Sequence, residues 1–165
     1  MSDLLIWSLE NARKQTLSLV EDLREDQMCL QTAAGENHPA WVLGHLLLGD
    51  IYLLSMLKVR ELSADFMDLL GKYGPNSNPN PMRENYHSKQ VLVERLTETG
   101  FRRTGALRRM KDFDQPTPDE TLARTQPTIG HHLQILLFHE GHHCGQIAAW
   151  RRAQRLPAVK GIFAS

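Results

Sequence analysis

Apolar positions recur along most of this chain at the three- and four-residue spacing of helices. Leu4, Leu5, Trp7, Leu9, Ala12, Leu17, Val20 and Leu23 predict a first helix over residues 3–24, with Ser2-Asp3 offering its N-cap. Residues 25–37 are polar, contain Gly35 and read as a connection. A second helix begins at Pro39, whose missing N–H costs nothing in a first turn, and runs to about Lys58. Residues 61–70 predict a short helix. Gly74-Pro75-Asn76-Ser77-Asn78-Pro79-Asn80-Pro81 is incompatible with regular structure and reads as a surface loop of the kind that flanks or covers a site. Val91, Leu92, Leu96, Phe101, Leu107 and Met110 place a third long helix over 88–110, with Arg102, Arg103, Arg108 and Arg109 on its solvated face. After a loop at 114–120, with a helical turn following Pro118, the last helix runs from Thr128 to about Gln154. Arg155-Leu156-Pro157 ends it, leaving a short tail over 159–165. Four long helices, two longer loops and no convincing strand predict an all-α, up-down four-helix bundle with one short extra helix. With no internal repeat, residues 1–165 form one domain.

Charge narrows the possibilities. Lys plus Arg and Asp plus Glu number 19 each, so no bulk attraction to nucleic acid or an anionic membrane is expected, and the scattered arginine pairs, Arg151-Arg152 included, form no patch. No apolar run approaches the ~18 residues of a spanning helix. The N-terminus lacks the basic and apolar regions of a signal peptide. Cys29 and Cys144 are far apart and form no CxxC, which argues against a disulfide scaffold and fits a reducing cytoplasm.

The candidate chemistry concentrates in Gly130–Ile147, GHHLQILLFHEGHHCGQI. Five of the eight histidines lie there: His131, His132, His139, His142 and His143. His139 and His143 are four apart, so their Cβ atoms fall about 5–6 Å apart on one helical face. Both rings can therefore reach one metal at about 2.0–2.1 Å. His142, three residues from His139, competes for the same role. Ile135, Leu136, His139, His143, Gln146, Ile147 and Trp150 make a continuous stripe that reads as buried. His45 sits mid-way along the second helix among Val42, Leu46, Leu53 and Met56, where an unpaired imidazole is costly. Taken alone it reads as a core histidine. In a bundle it can meet the His139/His143 pair, and three His ligands with an open position make a catalytic type of metal site. Gln146 lies one turn beyond His143 and is placed to orient a ligand or substrate, or to join two helices by a hydrogen bond. Glu140, His142, Asp50 and Tyr52 are the candidate general bases. Trp41, Trp150, Tyr86 and the 74–81 loop are candidates to shape a pocket, with helix core the plainer reading of both tryptophans.

Two other readings use the same residues. His139-Glu140-Gly141-His142-His143 matches HExxH, the helix of zinc metalloproteases with a general-base Glu. Against it, no His, Asp or Glu follows His143, and Ala149 stands where the longer pattern has its third His. The histidines also read as a packed polar core without metal.

The chain resembles the DinB-like/YfiT-like family of metal-binding four-helix bundles. The resemblance rests on Trp41-Val42-Leu43-Gly44-His45-Leu46, on the Thr128-Ile129-Gly130 helix start, and above all on Phe138 to Ile147 followed by Arg151-Arg152 and Leu156-Pro157. The family's H-x-x-x-H-x-G-Q signature falls on His139, His143, Gly145 and Gln146. It implies one divalent metal, zinc or nickel, on His45, His139 and His143, a small-molecule substrate and a homodimer. It further implies transferase or isomerase chemistry with a low-molecular-weight thiol such as bacillithiol or mycothiol, or metal-dependent hydrolysis, or a non-catalytic damage-response role. His131, His132, His142 and Cys144 are additions to the simplest family pattern.

Overall fold

The structure is a computed structural model that describes residues 2–62 and 65–159. Its helices are α1 (Ser2–Ser18), α2 (Pro39–Met56), α3 (Phe66–Tyr73), α4 (Lys89–Arg109), the single turn α5 (Glu120–Ala123) and α6 (Ile129–Ala153). No strand occurs among the described residues; one isolated bridge joins Pro116 and Thr128. A four-helix bundle is the fold found, as the hydrophobic pattern leads one to expect, but its helices do not alternate in the simple up-down order.

The long helices pack in a ring, α1–α4–α2–α6. Pairing across helices fixes their directions. Arg108 reaches Glu10, Arg13 reaches the Leu96 carbonyl and Lys89 reaches the Glu21 carbonyl, so α1 and α4 are antiparallel. Arg13 meets Glu140, Thr16 meets Cys144 and Arg151 meets the Leu19 carbonyl, so α1 and α6 run parallel. Asn37 meets Gln146 and His45 meets His139, so α2 and α6 are antiparallel. In chain order the four run up, down, down, up. The chain must therefore return along the whole of α2, about 27 Å at 1.5 Å per residue, before α4 can start. Residues 57–88 make this return, and α3 packs against α2 on the way.

Local chemistry sets the ends. The Ser88 and Thr128 hydroxyls cap α4 and α6 by accepting the backbone N–H of Val91 and His131. His38 caps α2: its Nδ1 accepts the Trp41 N–H at 3.2 Å, with Pro39 in the first turn. α1 stops at Ser18, short of the expected 24, because the next turns tighten to i→i+3 bonds (Val20 to Leu17, Leu23 to Val20) that still bury Leu19, Val20 and Leu23. α3 lies later than the expected 61–70. Gly71 is tolerated inside it and Gly74 ends it, which lets Leu69 and Tyr73 face the core while Met67 stays exposed. The 74–81 loop is fastened to the start of α2. Ser77 Oγ accepts the Trp41 indole N–H at 2.8 Å, and His38 Nε2 donates to the Asn80 carbonyl at 3.0 Å. By length and composition α2 could cross a membrane, but 72% of that window is buried inside the bundle.

The centre of the bundle is charged. Arg13 of α1 grips Glu140 of α6 through two donors, at 2.6 and 3.2 Å, and donates to Asp50 of α2 at 2.7 Å. Arg103 of α4 donates to the other Asp50 oxygen at 2.7 Å and to the Leu9 carbonyl. Thr16 and Thr99 complete the two carboxylates. Burial works against the charge on Asp50, yet Arg103 and Arg13 hold its carboxyl below its ordinary value. Arg103, expected on a solvated face, is only 2% exposed. Its fork is compensated for desolvation by interior acceptors, Asp50 above all.

Breaking one partner leaves a buried charge uncompensated. Glu140→Ala is expected to lower the unfolding free energy by about 3–5 kcal/mol in urea denaturation. A loss below about 1 kcal/mol would show that the network does not hold the helices together.

Candidate metal centre

The three histidines singled out on α2 and α6 come together. His45 Nε2 and His143 Nε2 each lie 3.0 Å from His139 Nε2. One ligand atom from each ring falls within 4.8 Å of the others, and among the described residues no further His, Cys, Asp or Glu joins the group. α6 supplies two rings one turn apart, and the antiparallel α2 supplies the third. His143 is buried and the other two are half-buried, so the cluster lies at the α2/α6 seam rather than on the bundle axis. Trp41 stacks on His45 with centroids 4.5 Å apart and planes 13° from parallel.

Hydrogen bonds on the far side of two rings fix their tautomers. His45 Nδ1 lies 2.7 Å from the Tyr73 carbonyl, which can only accept, so Nδ1 carries the proton and Nε2 a lone pair. His143 Nδ1 donates to Gln146 Oε1 at 2.8 Å, and its Nε2 is likewise bare. Gln146 Oε1 also accepts from Asn37 at 3.2 Å, while Gln146 Nε2 donates to His142 Nε2 at 3.1 Å, so the amide orientation is consistent throughout. His139 Nε2 thus faces two lone pairs. A neutral ring has at most one proton to offer there, so at least one of the two 3.0 Å contacts has no proton of its own to bridge the nitrogens. A cation at the point of convergence relieves this, and three neutral imidazoles held by outer partners are the donor set a divalent ion takes. The cluster can hold a metal ion. Burial, reinforced by the neighbouring rings, pulls His139 down to about 4 and His143 to about 3; burial also lowers His45.

The other candidates lie elsewhere. Exposed His142 bonds Gln146 and packs edge-on against the His143 ring, centroids 5.4 Å apart, but is not among the residues whose ligand atoms converge. Glu140 faces α1, its oxygens engaged by Arg13 and Thr16, so the HExxH match does not place its glutamate at the histidines. Asp50 is held by Arg13 and Arg103. Tyr52 donates to Asp119 at 2.5 Å, and burial with that carboxylate pushes its hydroxyl up to about 12. His131 pairs with the Thr128 hydroxyl, and buried His132 with Gln126. Cys144 sits 3.2 Å from Thr16 Oγ1, and burial raises its thiol, the reverse of a reactive thiolate. Trp150 is core, donating to the Leu30 carbonyl, and Tyr86 packs edge-on against His38. Ile135, expected in the buried stripe, is 48% exposed, and Phe138 beside the cluster is 74% exposed. The buried line of α6 instead runs through His132, Leu133, Glu140, His143, Ile147, Trp150 and Arg151, and His139 stands on its rim.

Two contributors escape a reading by residue type. The Tyr73 carbonyl is backbone and leaves no mark in the pattern. Arg13 does leave one: Ile6, Leu9, Arg13 and Thr16 share a single buried face of α1, and a cation within such a stripe signals an interior partner.

The sequence profile of the DinB superfamily matches residues 8–147, from the first turns of α1 through both ligand-bearing helices. The chain belongs to the DinB superfamily. Comparison with curated proteins gives no match. Within this DinB chain, the signature histidines and Gln146 are the residues joined in the seam, and the additional histidines serve caps and loops or face solvent.

One of the remaining histidines sets a pH dependence away from the cluster. Burial holds His38 neutral, at about 4 against 6.5 in an unfolded chain. Unfolding below pH 6.5 therefore takes up a proton, so its contribution is complete above about 6.5 and is lost as pH falls toward 4. His38→Asn keeps a capping side chain without titrating. Between pH 7 and pH 4 the wild type is expected to lose more stability than this variant, by on the order of 2–3 kcal/mol in urea unfolding. Equal losses would remove His38 from the pH dependence.

Proposed function

We propose that this DinB protein is a metal-dependent enzyme acting on a small molecule, with His45, His139 and His143 holding one divalent ion, zinc or nickel. The observation that carries the reading is the convergence of three imidazole nitrogens, two with their far-side protons committed to Tyr73 and Gln146. Three protein ligands at a half-open seam leave room for an exogenous group, as in catalytic rather than structural sites. When bound, the ion would supply Lewis acidity, lowering the pKa of a water or thiol.

The chain's own residues orient and enclose. Gln146 holds the His143 ring and is itself held by Asn37 and His142. Trp41 covers one face of His45 and excludes water there. The candidate carboxylate bases, Asp50 and Glu140, are both paired with arginine in the bundle centre. This favours transfer of a low-molecular-weight thiol, which needs no carboxylate base, over hydrolysis. The same pairing favours, as the second reading, a metal-binding bundle without turnover. A homodimer is the expected assembly.

The test is metal content by plasma mass spectrometry, wild type beside His139→Ala. About one metal per chain, lost in the variant, is expected. No metal after incubation with zinc, nickel or manganese would end the metal reading. A metal-loaded protein inert toward thiol-transfer and hydrolase substrates would leave the second.

A further inference from the structure

The His45 partner is a backbone carbonyl on α3, outside the four-helix ring, and its position depends on two glycines. The Tyr73 ring is fully buried and lies against Gly44, the residue before His45. A Cβ at Gly44 would lie only 2.2–2.4 Å from three atoms of that ring, far inside van der Waals contact, so any other residue there must push Tyr73 away. The next residue, Gly74, closes α3 with its N–H on the Leu70 carbonyl. A Cβ at Gly74 would collide with that same carbonyl oxygen, which is backbone and cannot swing aside. The Tyr73 side chain is tied at its far end as well: its hydroxyl accepts the His87 N–H and donates to His87 Nδ1, both at 2.9 Å. One residue is thus fixed at ring, hydroxyl and following peptide, and its carbonyl meets His45 Nδ1 at 2.7 Å.

Helix propensity alone does not explain Gly44. Glycine inside a helix costs about 1 kcal/mol relative to alanine, and α2 is otherwise a strongly apolar helix. By contrast, Gly71, in α3 itself, would place a Cβ in open space. Around Tyr73 the requirement for a bare backbone falls on Gly44 and Gly74 and not on Gly71.

We infer that Gly44, Gly74 and Tyr73 form a positioning device for the candidate metal centre, which holds the Tyr73 carbonyl on His45 Nδ1 and so keeps His45 Nε2 free as a ligand. This rests on the metal reading for its consequence but not for its geometry: the tautomer is a property of the metal-free protein. Loss of an outer hydrogen-bond partner of a ligating histidine typically weakens metal binding 10–100-fold.

The experiment uses the full chain and four proteins: wild type, Gly44→Ala, Gly74→Ala and, as a control, Gly71→Ala. Long-range proton–nitrogen NMR of the metal-free proteins reads the His45 tautomer, and cobalt(II) titration reads affinity and ligand-field spectrum. Wild type and Gly71→Ala are expected to show the Nδ1–H tautomer and equal cobalt affinity. Gly74→Ala, which lies outside the four-helix ring, is expected to lose the single tautomer and bind cobalt about 10–100-fold more weakly with helical content retained. Gly44→Ala is expected to do the same where it folds. A folded Gly74→Ala protein with unchanged tautomer and affinity overturns the inference, whatever Gly44→Ala does. Should the wild type bind no cobalt, the metal reading fails, and the tautomer measurement alone decides the positioning device.

Discussion

The ionic cluster at the middle of the bundle constrains everything around it. Arg13, Asp50, Arg103 and Glu140 come one from each long helix, and two cations balance two carboxylates. An apolar core tolerates a helix sliding or turning by part of a residue. A bidentate guanidinium–carboxylate pair does not, because each misplaced donor leaves a buried charge unanswered. Glu140 therefore fixes the rotation of α6 and Asp50 that of α2. His139 and His143 on one helix, and His45 on the other, are placed by the same two settings.

This division explains how the seam can be polar and half-open without loosening the fold. The apolar side chains around Leu43, Leu47, Leu92 and Trp150, together with the ion network, bury the interior. The histidine cluster lies to one side, supported by the Gln146 bridge, by Trp41 and by a carbonyl from α3. The fastened 74–81 loop secures the start of α2 through Trp41 and His38, and Trp41 in turn stacks on His45.

Much of the fold was legible because apolar residues recur at helical spacing along its long helices, and because these begin at recognisable signals, Pro39, Ser88 and Thr128 among them. The histidine trio was legible because the 139/143 spacing allows one position in space and a bundle offers few places for His45 to meet it. The rest fails for definite reasons. Arg103 looks like its neighbours Arg102 and Arg108 in any local window, and only an acid on another helix distinguishes it. Ile135 and Phe138 are apolar in composition but lie on the outward face once Glu140 has set the rotation. The end of α3 shifts because Gly71 is tolerated and Gly74 is not, a distinction made by backbone geometry at the helix end, where a Cβ on residue 74 would meet the Leu70 carbonyl. The Tyr73 carbonyl has no side-chain identity to read.

The parallel pairing of α1 with α6 has a consequence for how the molecule forms. Arg13 and Glu140 are 127 residues apart in the chain, so the contact that closes the ring is also among the most distant in sequence. Contacts of that separation form late, since the loop entropy must be met before they contribute. On the ribosome α1 precedes α6, carrying an arginine destined for the interior, and the carboxylate that grips it through two donors, Glu140, arrives only with the last helix. Until then the first three long helices have one cation more than the interior can neutralise, which opposes a premature compact state lacking α6.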